Sequence, residues 1–358
     1  MDTSEEAPAH GQARRFAGVR VLVLGSNADE DSFEWHVESS LRRMGCEVRL
    51  FHDRDGASSV ASLPRKALNK IAQTVFREPE RIGEKRLLRL VAALEPEVIL
   101  VLLGSQVSPK TIAGIRKISR APILCWCQDQ LSTLGRQYLL GSGYDAVFVK
   151  DRYMQDLFSR MIRSTTFHYL PEACNPLIHR PLELSDEGVA TYGCEVMIAG
   201  TLYYYRQAIL QQLDGFDIKI WGRRPDWLID RMPGRYMGRE VRGDDKVYAM
   251  RGAKICLNTL HYAEVDGLNC RAFEIAGCGG FQLINGVAVL AEHFEPSVEI
   301  AVYQTTDELR DKIRYYLDRP ELMLQIAERG RVRAHRDHTY EQRLARILQL
   351  ALPQAVAV

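Results

Sequence analysis

Residues 254–284 read KICLNTLHYAEVDGLNCRAFEIAGCGGFQLI, and the order of residue types in this stretch decides the fold. KICLNTL (254–260) is a short apolar run of strand length, CRAFEIAG follows at helical spacing, and after Cys-Gly-Gly the chain enters FQLI, a second apolar run. Strand, helix and strand in succession form a βαβ unit, and continuously apolar strands belong to a parallel sheet covered on both faces. Ligands of such sheets gather beyond the carboxyl ends of strands, where helix N-termini converge. Here Asp266-Gly267-Leu268-Asn269 turns the chain into the helix. The first free N–H groups and the positive end of the helix dipole make a place for a phosphate or diphosphate. Gly267 lets a ligand approach the backbone, and Asn269 or Asp266 can cap.

Glu274 lies past the first turn of that helix, three residues after Arg271, placed to accept hydrogen bonds from vicinal hydroxyls such as those of a ribose. The plainer alternative is a surface pair between Glu274 and Arg271. Gly277, Gly279 and Gly280 favour the first alternative, because they let the next strand press against the helix end and make a crevice.

The same alternation extends outward. VRVLVLG (19–25), a helix over 33–45, CEVRLFHD (46–53), PEVILVLL (96–103), a helix opening at Ser108-Pro109, APILCWCQ (121–128) and DAVFVK (145–150) make a first α/β half. Between Thr166 and Pro181 periodicity gives way to a proline-rich linker. CEVMIAG (194–200), a helix over 205–213, DIKIWG (217–222) and a helix over 244–253 then lead into the opening stretch. Thr305 and Glu308 form a capping box, and the chain closes as helix. The expected architecture is α/β, two Rossmann-like doubly wound parallel-sheet domains facing a central cleft. The domains are a disordered tail at 1–17, a first domain at 18–170, a second at 171–335, and a C-terminal helix at 336–358 packing back on the first domain.

A chain of 358 residues, 46% hydrophobic and 26% charged, suits two globular domains. A net charge of +1 gives no field for gathering nucleic acid, and no nucleic-acid partner is expected. No apolar run approaches the ~20 residues of a spanning helix, and the acidic N-terminus resembles no presequence. Eight cysteines without a CxxC pair read as reduced, buried thiols in a cytoplasmic protein. Residues 62–94 hold eight basic and three acidic residues: a solvated helical face, or a patch for peripheral membrane contact or an anionic glycan.

Several motifs are rejected. DED (29–31) and DRD (53–55) have the Asp-x-Asp form of a metal site, but the surrounding architecture is wrong for one, and no metal is expected. GDD (243–245) reads as a helix N-cap, and the first βα turn, GSNADE, lacks the G-x-G-x-x-G of a nicotinamide site. The tyrosines of TLYYYR (201–206) read as packing at the domain interface, and Trp221 as bordering a nucleobase.

YLPEACNPLIHRP, CEVMIAGTLYYYR, KICLN, GLNCRAFEIAGCGGFQLIN, AEHFEPSVEI, ELRDKIRYYL and HTYEQR together resemble the CgeB-like family of bacterial glycosyltransferases. Those enzymes have the GT-B architecture. The resemblance spans residues 169–343 and implies a second lobe that binds a nucleotide-diphosphate sugar, a first lobe that binds the acceptor, and no cofactor beyond the donor itself. The acceptor is a glycan, a protein or a small molecule. Asp266 and Glu274 stand at the spacing of two glutamates of retaining GT-B enzymes, which gives Asp266 the sugar hydroxyls and Glu274 the ribose. Arg206 stands at the family's diphosphate lysine, while Thr201 stands where an arginine is usual, so Arg223 or Arg271 would substitute.

The implied donor site is Gly200, Thr201, Arg206, Trp221, Gly222, Arg223, Asn258, Leu268, Asn269, Arg271 and Glu274, with Arg206 and Asp266 in the chemistry. The expected reaction is metal-independent glycosyl transfer with retention. Inversion would need a first-lobe base, for which Asp129 is the candidate, alternatively an acceptor-orienting group; His168 is a core histidine in the simpler account. A sugar-nucleotide epimerase or phosphorylase, and a non-catalytic nucleotide-sugar-binding module, are the alternatives.

Overall fold

The computed structural model describes residues 14–25, 29–52, 81–102, 107–131, 134, 137–225 and 234–353. The chain divides into two compact units, one of Met1–Val149, Gln155–His168 and Leu344–Val358, the other of Lys150–Met154 and Tyr169–Arg343. The basic stretch at 62–80, the DRD triplet and part of the GSNADE turn lie outside the described residues.

The first sheet holds β1 (Arg20–Gly25), β2 (Glu47–His52), β3 (Val98–Val101), β4 (Ile123–Cys127), β5 (Ala146–Val149) and β6 (Thr166–Tyr169) in the order β2-β1-β3-β4-β5-β6. Every residue of β3, β4 and β5 is buried, as a parallel sheet covered on both faces requires. α1 (Phe33–Arg43), α2 (Arg81–Leu94) and α3 (Pro109–Ile118) belong to this unit, while α4 (Arg152–Met161) has residues in both. Ser108 caps α3 by accepting the Thr111 N–H at 3.2 Å, with Pro109 in the first turn. Two expectations fail here. Thr166–Tyr169 is a strand rather than linker. The tail expected to run to residue 17 already turns at Arg14–Phe16, where the Phe16 ring is fully buried.

In the second unit, β7 (Cys194–Ala199), β8 (Ile218–Trp221), β9 (Arg235–Tyr236), β10 (Ala253–Asn258), β11 (Gln282–Asn285) and β12 (Ala301–Tyr303) follow the order β12-β11-β10-β7-β8-β9. Neighbouring strands pair in parallel, with Val196 opposite Ile255 and Ile218. The chain leaves β7 in one direction and returns on its other side at β10, so the strand order reverses between these two, and the crevice of a doubly wound sheet opens beyond their carboxyl ends. Helices α5 (Asp186–Tyr192), α6 (Tyr204–Leu210), α7 (Gly243–Gly252), α8 (Cys270–Gly277), α9 (Thr306–Leu317) and α10 (Pro320–Asp337) belong to this unit, while α11 (Tyr340–Ala351) begins in it and from Leu344 belongs to the first. The sequence signalled neither α5 nor the short strands β9 and β12. GDD is the first turn of α7 rather than its cap, which is Arg242. No helix among the described residues is long and apolar enough to cross a membrane. All eight cysteines are unbonded thiols, seven of them buried.

The closing helix breaks between α10 and α11. At the break His338 is buried, with its Nε2 2.8 Å from the His293 carbonyl and its Nδ1 facing Arg343 Nη2 at 3.1 Å. An arginine donor at Nδ1 and a carbonyl at Nε2 fix the neutral ring. Burial, and then Arg343, push His338 down to about 4. Burial, and then His338, push His293 down to about 2. Below the ordinary histidine range of about 6.5 the unfolded chain therefore binds protons that the folded one refuses, so stability falls as pH falls. Urea denaturation should show a loss of roughly 1.4 kcal/mol per pH unit per histidine between pH 6.5 and 4. His338→Gln should flatten that slope, and a wild-type midpoint independent of pH over this window would contradict the assignment.

Candidate functional site

Two arginines meet at the reversal point of the second sheet. Arg206 stands in the first turn of α6, after β7; Arg271 stands in the first turn of α8, after β10. Arg206 is buried, donating from Nε to Thr259 Oγ1 at 2.8 Å, from Nη1 to the Thr201 carbonyl at 2.5 Å and from Nη2 to the Thr259 carbonyl at 3.3 Å. Arg271 donates from Nε to Asn258 Oδ1 at 3.3 Å. A β-carbon on Gly200 would lie 2.5 Å from Arg271 Nη1 and 3.2 Å from Arg206 Nη1, so both guanidiniums converge where Gly200 has no side chain. Burial, and then Arg271, push Arg206 down to about 10. Two like charges with neutral hydrogen-bond partners are an arrangement that an anion relieves.

The scaffold beneath them is tight. Gly200 and Gly222 directly follow β7 and β8 with φ of +116° and +144°, and a β-carbon on Gly222 would fall 2.0 Å from the Gly200 carbonyl oxygen. Only glycine accepts that approach. Asn258, fully buried at the end of β10, donates to Asn269 Oδ1 at 3.0 Å and Gln282 Oε1 at 2.8 Å, and accepts from Asn269 Nδ2 at 2.9 Å as well as from Arg271. Asn269 in turn caps α8 by accepting the Ala272 N–H at 3.2 Å, as its place in the sequence suggests. Positive charge at the start of α8 comes from Arg271 as well as from the dipole.

The far end of α8 is a Schellman motif: Gly280 N–H donates to the Ile275 carbonyl and Gly279 N–H to that of Ala276, with Gly279 at φ +71°. A β-carbon on Gly280 would meet Ile275 of α8 and Cys256 of β10, so the chain passes tightly between that helix and β10, while one on Gly277 would meet Cys174 and His179. Glu274 is buried, and its partner is not Arg271. Oε1 accepts from Lys246 Nζ of α7 at 3.0 Å and lies 3.7 Å from His179 Nε2. The surface pair is thereby excluded.

Other expected site residues fall elsewhere. The Asp266 carboxylate accepts the Val289 N–H at 2.7 Å, and Gly267 bridges Asp151 of the same unit. The Leu268 side chain is in the hydrophobic core. Trp221 is fully buried beside Tyr192 and under Arg239, so its ring faces no base. Arg223 is exposed and pairs with Glu240 at 3.0 Å, which leaves Arg271 as the cation that joins Arg206. Thr201 is exposed and contributes its carbonyl. In the first unit, Asp129 is exposed just after β4, and His168 stacks on Phe148, with burial and then Arg346 lowering its proton affinity.

Sequence inspection missed Thr259, Lys246 and a buried ion pair, Lys150 Nζ to Glu264 Oε1 at 2.7 Å. Burial works against the Lys150 charge, but Glu264 and then Glu172 outweigh it and raise the lysine. The one available signal was a lysine ending an otherwise apolar strand, VFVK at 147–150.

Residues 206–349 match a family model described as glycosyl transferase-like. No curated protein matches the chain in sequence. Among solved structures, sucrose-phosphate synthase from Thermosynechococcus elongatus superposes with a TM-score of 0.66 at 12% identity, covering 95% of this chain and 100% of that one. HepE from Anabaena, in complex with UDP-glucose, gives 0.63 at 14% identity, covering 92% and 99%. A UDP-forming α,α-trehalose-phosphate synthase from Burkholderia vietnamiensis gives 0.59 at 12% identity, covering 93% and 99%. The chain has the GT-B fold of these proteins.

The network around Asn258 yields a stability test. Asn258→Leu strips buried partners from Asn269, Gln282 and Arg271, and at about 1–3 kcal/mol for each polar group left unpaired the expected net loss in urea is about 2–4 kcal/mol. A loss below about 0.5 kcal/mol, ordinary for a surface change, would contradict the network.

Proposed function

We propose that this chain is a metal-independent glycosyltransferase that moves a sugar from a nucleotide-diphosphate sugar to an acceptor hydroxyl. The observation that carries the proposal is the meeting of Arg206 and Arg271 at Gly200. The glycosyl transferase-like match and the resemblance to the CgeB-like family support it. The UDP and glucose held by HepE support a UDP-sugar as donor.

In this proposal the diphosphate lies between the two guanidiniums, and the ribose hydroxyls reach Glu274, whose charge Lys246 balances. The acceptor oxygen forms a bond to the anomeric carbon while the bond from that carbon to the diphosphate oxygen breaks, and the diphosphate leaves with the electron pair. Developing negative charge meets donors already in place, which is the largest single contribution in many enzymes. The acceptor proton passes to the leaving phosphate if configuration is retained; inversion requires a separate base, for which Asp129 stays the candidate. Retention is our preferred outcome because the leaving group then supplies the base. The cytoplasm, where nucleotide sugars are available, is the proposed compartment.

Incubation with UDP-, GDP- and ADP-sugars, with and without acceptors, tests the proposal: free nucleotide diphosphate should appear only when donor and acceptor are both present. Release without acceptor, or no binding of any nucleotide diphosphate at millimolar concentration, would contradict it. Arg206→Ala should lower kcat by about 10²–10³, the usual cost of removing one donor to a developing anion.

A further inference from the structure

Beside Arg206 the second unit carries a run of aromatic rings that donor binding leaves unexplained. The Arg206 guanidinium carbon lies 4.8 Å from the Tyr203 ring centroid, Tyr203 lies 4.9 Å from His261, His261 lies 4.2 Å from Tyr262, and Tyr262 meets Tyr205 edge-on at 6.0 Å. The inner rings are half-buried, but Tyr262 is 69% and Tyr205 43% exposed. Tyr205, with the other tyrosines of TLYYYR, was expected to pack at a domain interface, and the structure leaves it exposed.

The turn that presents Tyr262 is held firmly. Ala263 N–H donates to His261 Nδ1 at 3.1 Å and Glu264 N–H to the His261 carbonyl at 2.9 Å. Val265 and Asp266 N–H both donate to Asp151 Oδ2, at 3.0 and 3.2 Å. The Glu264 side chain is tied down by Lys150. A large ring kept in water on a fixed turn gains nothing from packing, and exposed apolar surface that is contiguous with a binding site marks a contact for a ligand.

Resting on the donor site proposed above, we propose that Tyr205 and Tyr262 form a platform for the ring of a neutral saccharide acceptor. In glycosyl transfer the attacking oxygen must reach the carbon bonded to the diphosphate, so the body of the acceptor rests within a few ring widths of Arg206, where these tyrosines stand. A pyranose offers an apolar C–H face that stacks on the face of an aromatic ring. The rings themselves are uncharged, which favours a neutral sugar over a phosphorylated one or an anionic lipid surface.

The test measures acceptor and donor KM for wild type, Tyr262→Ala, Tyr205→Ala and Tyr262→Phe, using UDP-, GDP- and ADP-glucose with glucose, maltose, cellobiose and glucose 6-phosphate as acceptors. Both tyrosines are exposed, so the variants should fold. The inference expects a neutral saccharide to be used, and each alanine variant to raise its KM about tenfold, the effect of one lost aromatic contact of ordinary size, with donor KM unchanged. Tyr262→Phe should behave as wild type. Acceptor KM unmoved in both alanine variants, or use of glucose 6-phosphate alone, would overturn the platform while leaving the donor site intact. So would donor binding without transfer to any of these sugars. A wild type that binds no donor would overturn the donor site and the platform together.

Discussion

The second unit is organised around an unfavourable contact, the approach of two guanidiniums over a glycine. Arg206 is buried and loses proton affinity through desolvation and through Arg271, and removal from water alone makes such a charge costly. The chain tolerates the contact because neutral partners hold each arginine: Thr259, just after β10, and Thr201, just after β7, for the first, and Asn258, the last residue of β10, for the second. Removing side chains from the ends of β7 and β8 makes the approach possible, since any β-carbon at 200 or 222 would collide with a guanidinium or a carbonyl. What the fold spends here is stability, and what it obtains is a fixed positive charge aimed at one place.

That charge lies where the topology of a doubly wound sheet opens its crevice, between the strands at which the order reverses. Strand ends, helix starts and cations coincide there for one geometrical reason: each βα turn of a parallel sheet delivers a helix N-terminus to the same edge. Donors fixed during folding need no rearrangement when a leaving group develops charge, which is the sense in which such a site lowers a barrier. The same principle extends to the turn after β10, where Asp151 and the Lys150–Glu264 pair hold the backbone that presents Tyr262.

Much of the fold was legible because apolar runs and glycine-ended helices are local signals. The βαβ unit of 254–284, the Ser108 and Asn269 caps and the glycines after α8 all follow from neighbours within a few residues. What escaped was set by distant partners. Spacing places Arg271 and Glu274 on one helix turn, but it does not show that Arg271 turns to Asn258 while Glu274 turns to Lys246. The resemblance gave Asp266 the sugar hydroxyls, and local sequence does not show that its carboxylate accepts the Val289 N–H or that Trp221, expected to border a base, is buried. Short strands such as β9 and β12 lack the length for a pattern, and Thr166–Tyr169 is a strand only because a neighbouring strand accepts it.

A crystal structure of the protein with UDP bound would test the central claim most directly. The account predicts phosphate oxygens within hydrogen-bonding distance of both the Arg206 and the Arg271 guanidiniums, against the Gly200 backbone, with the ribose turned toward Glu274. A diphosphate bound away from either arginine would contradict it, whatever activity the protein shows.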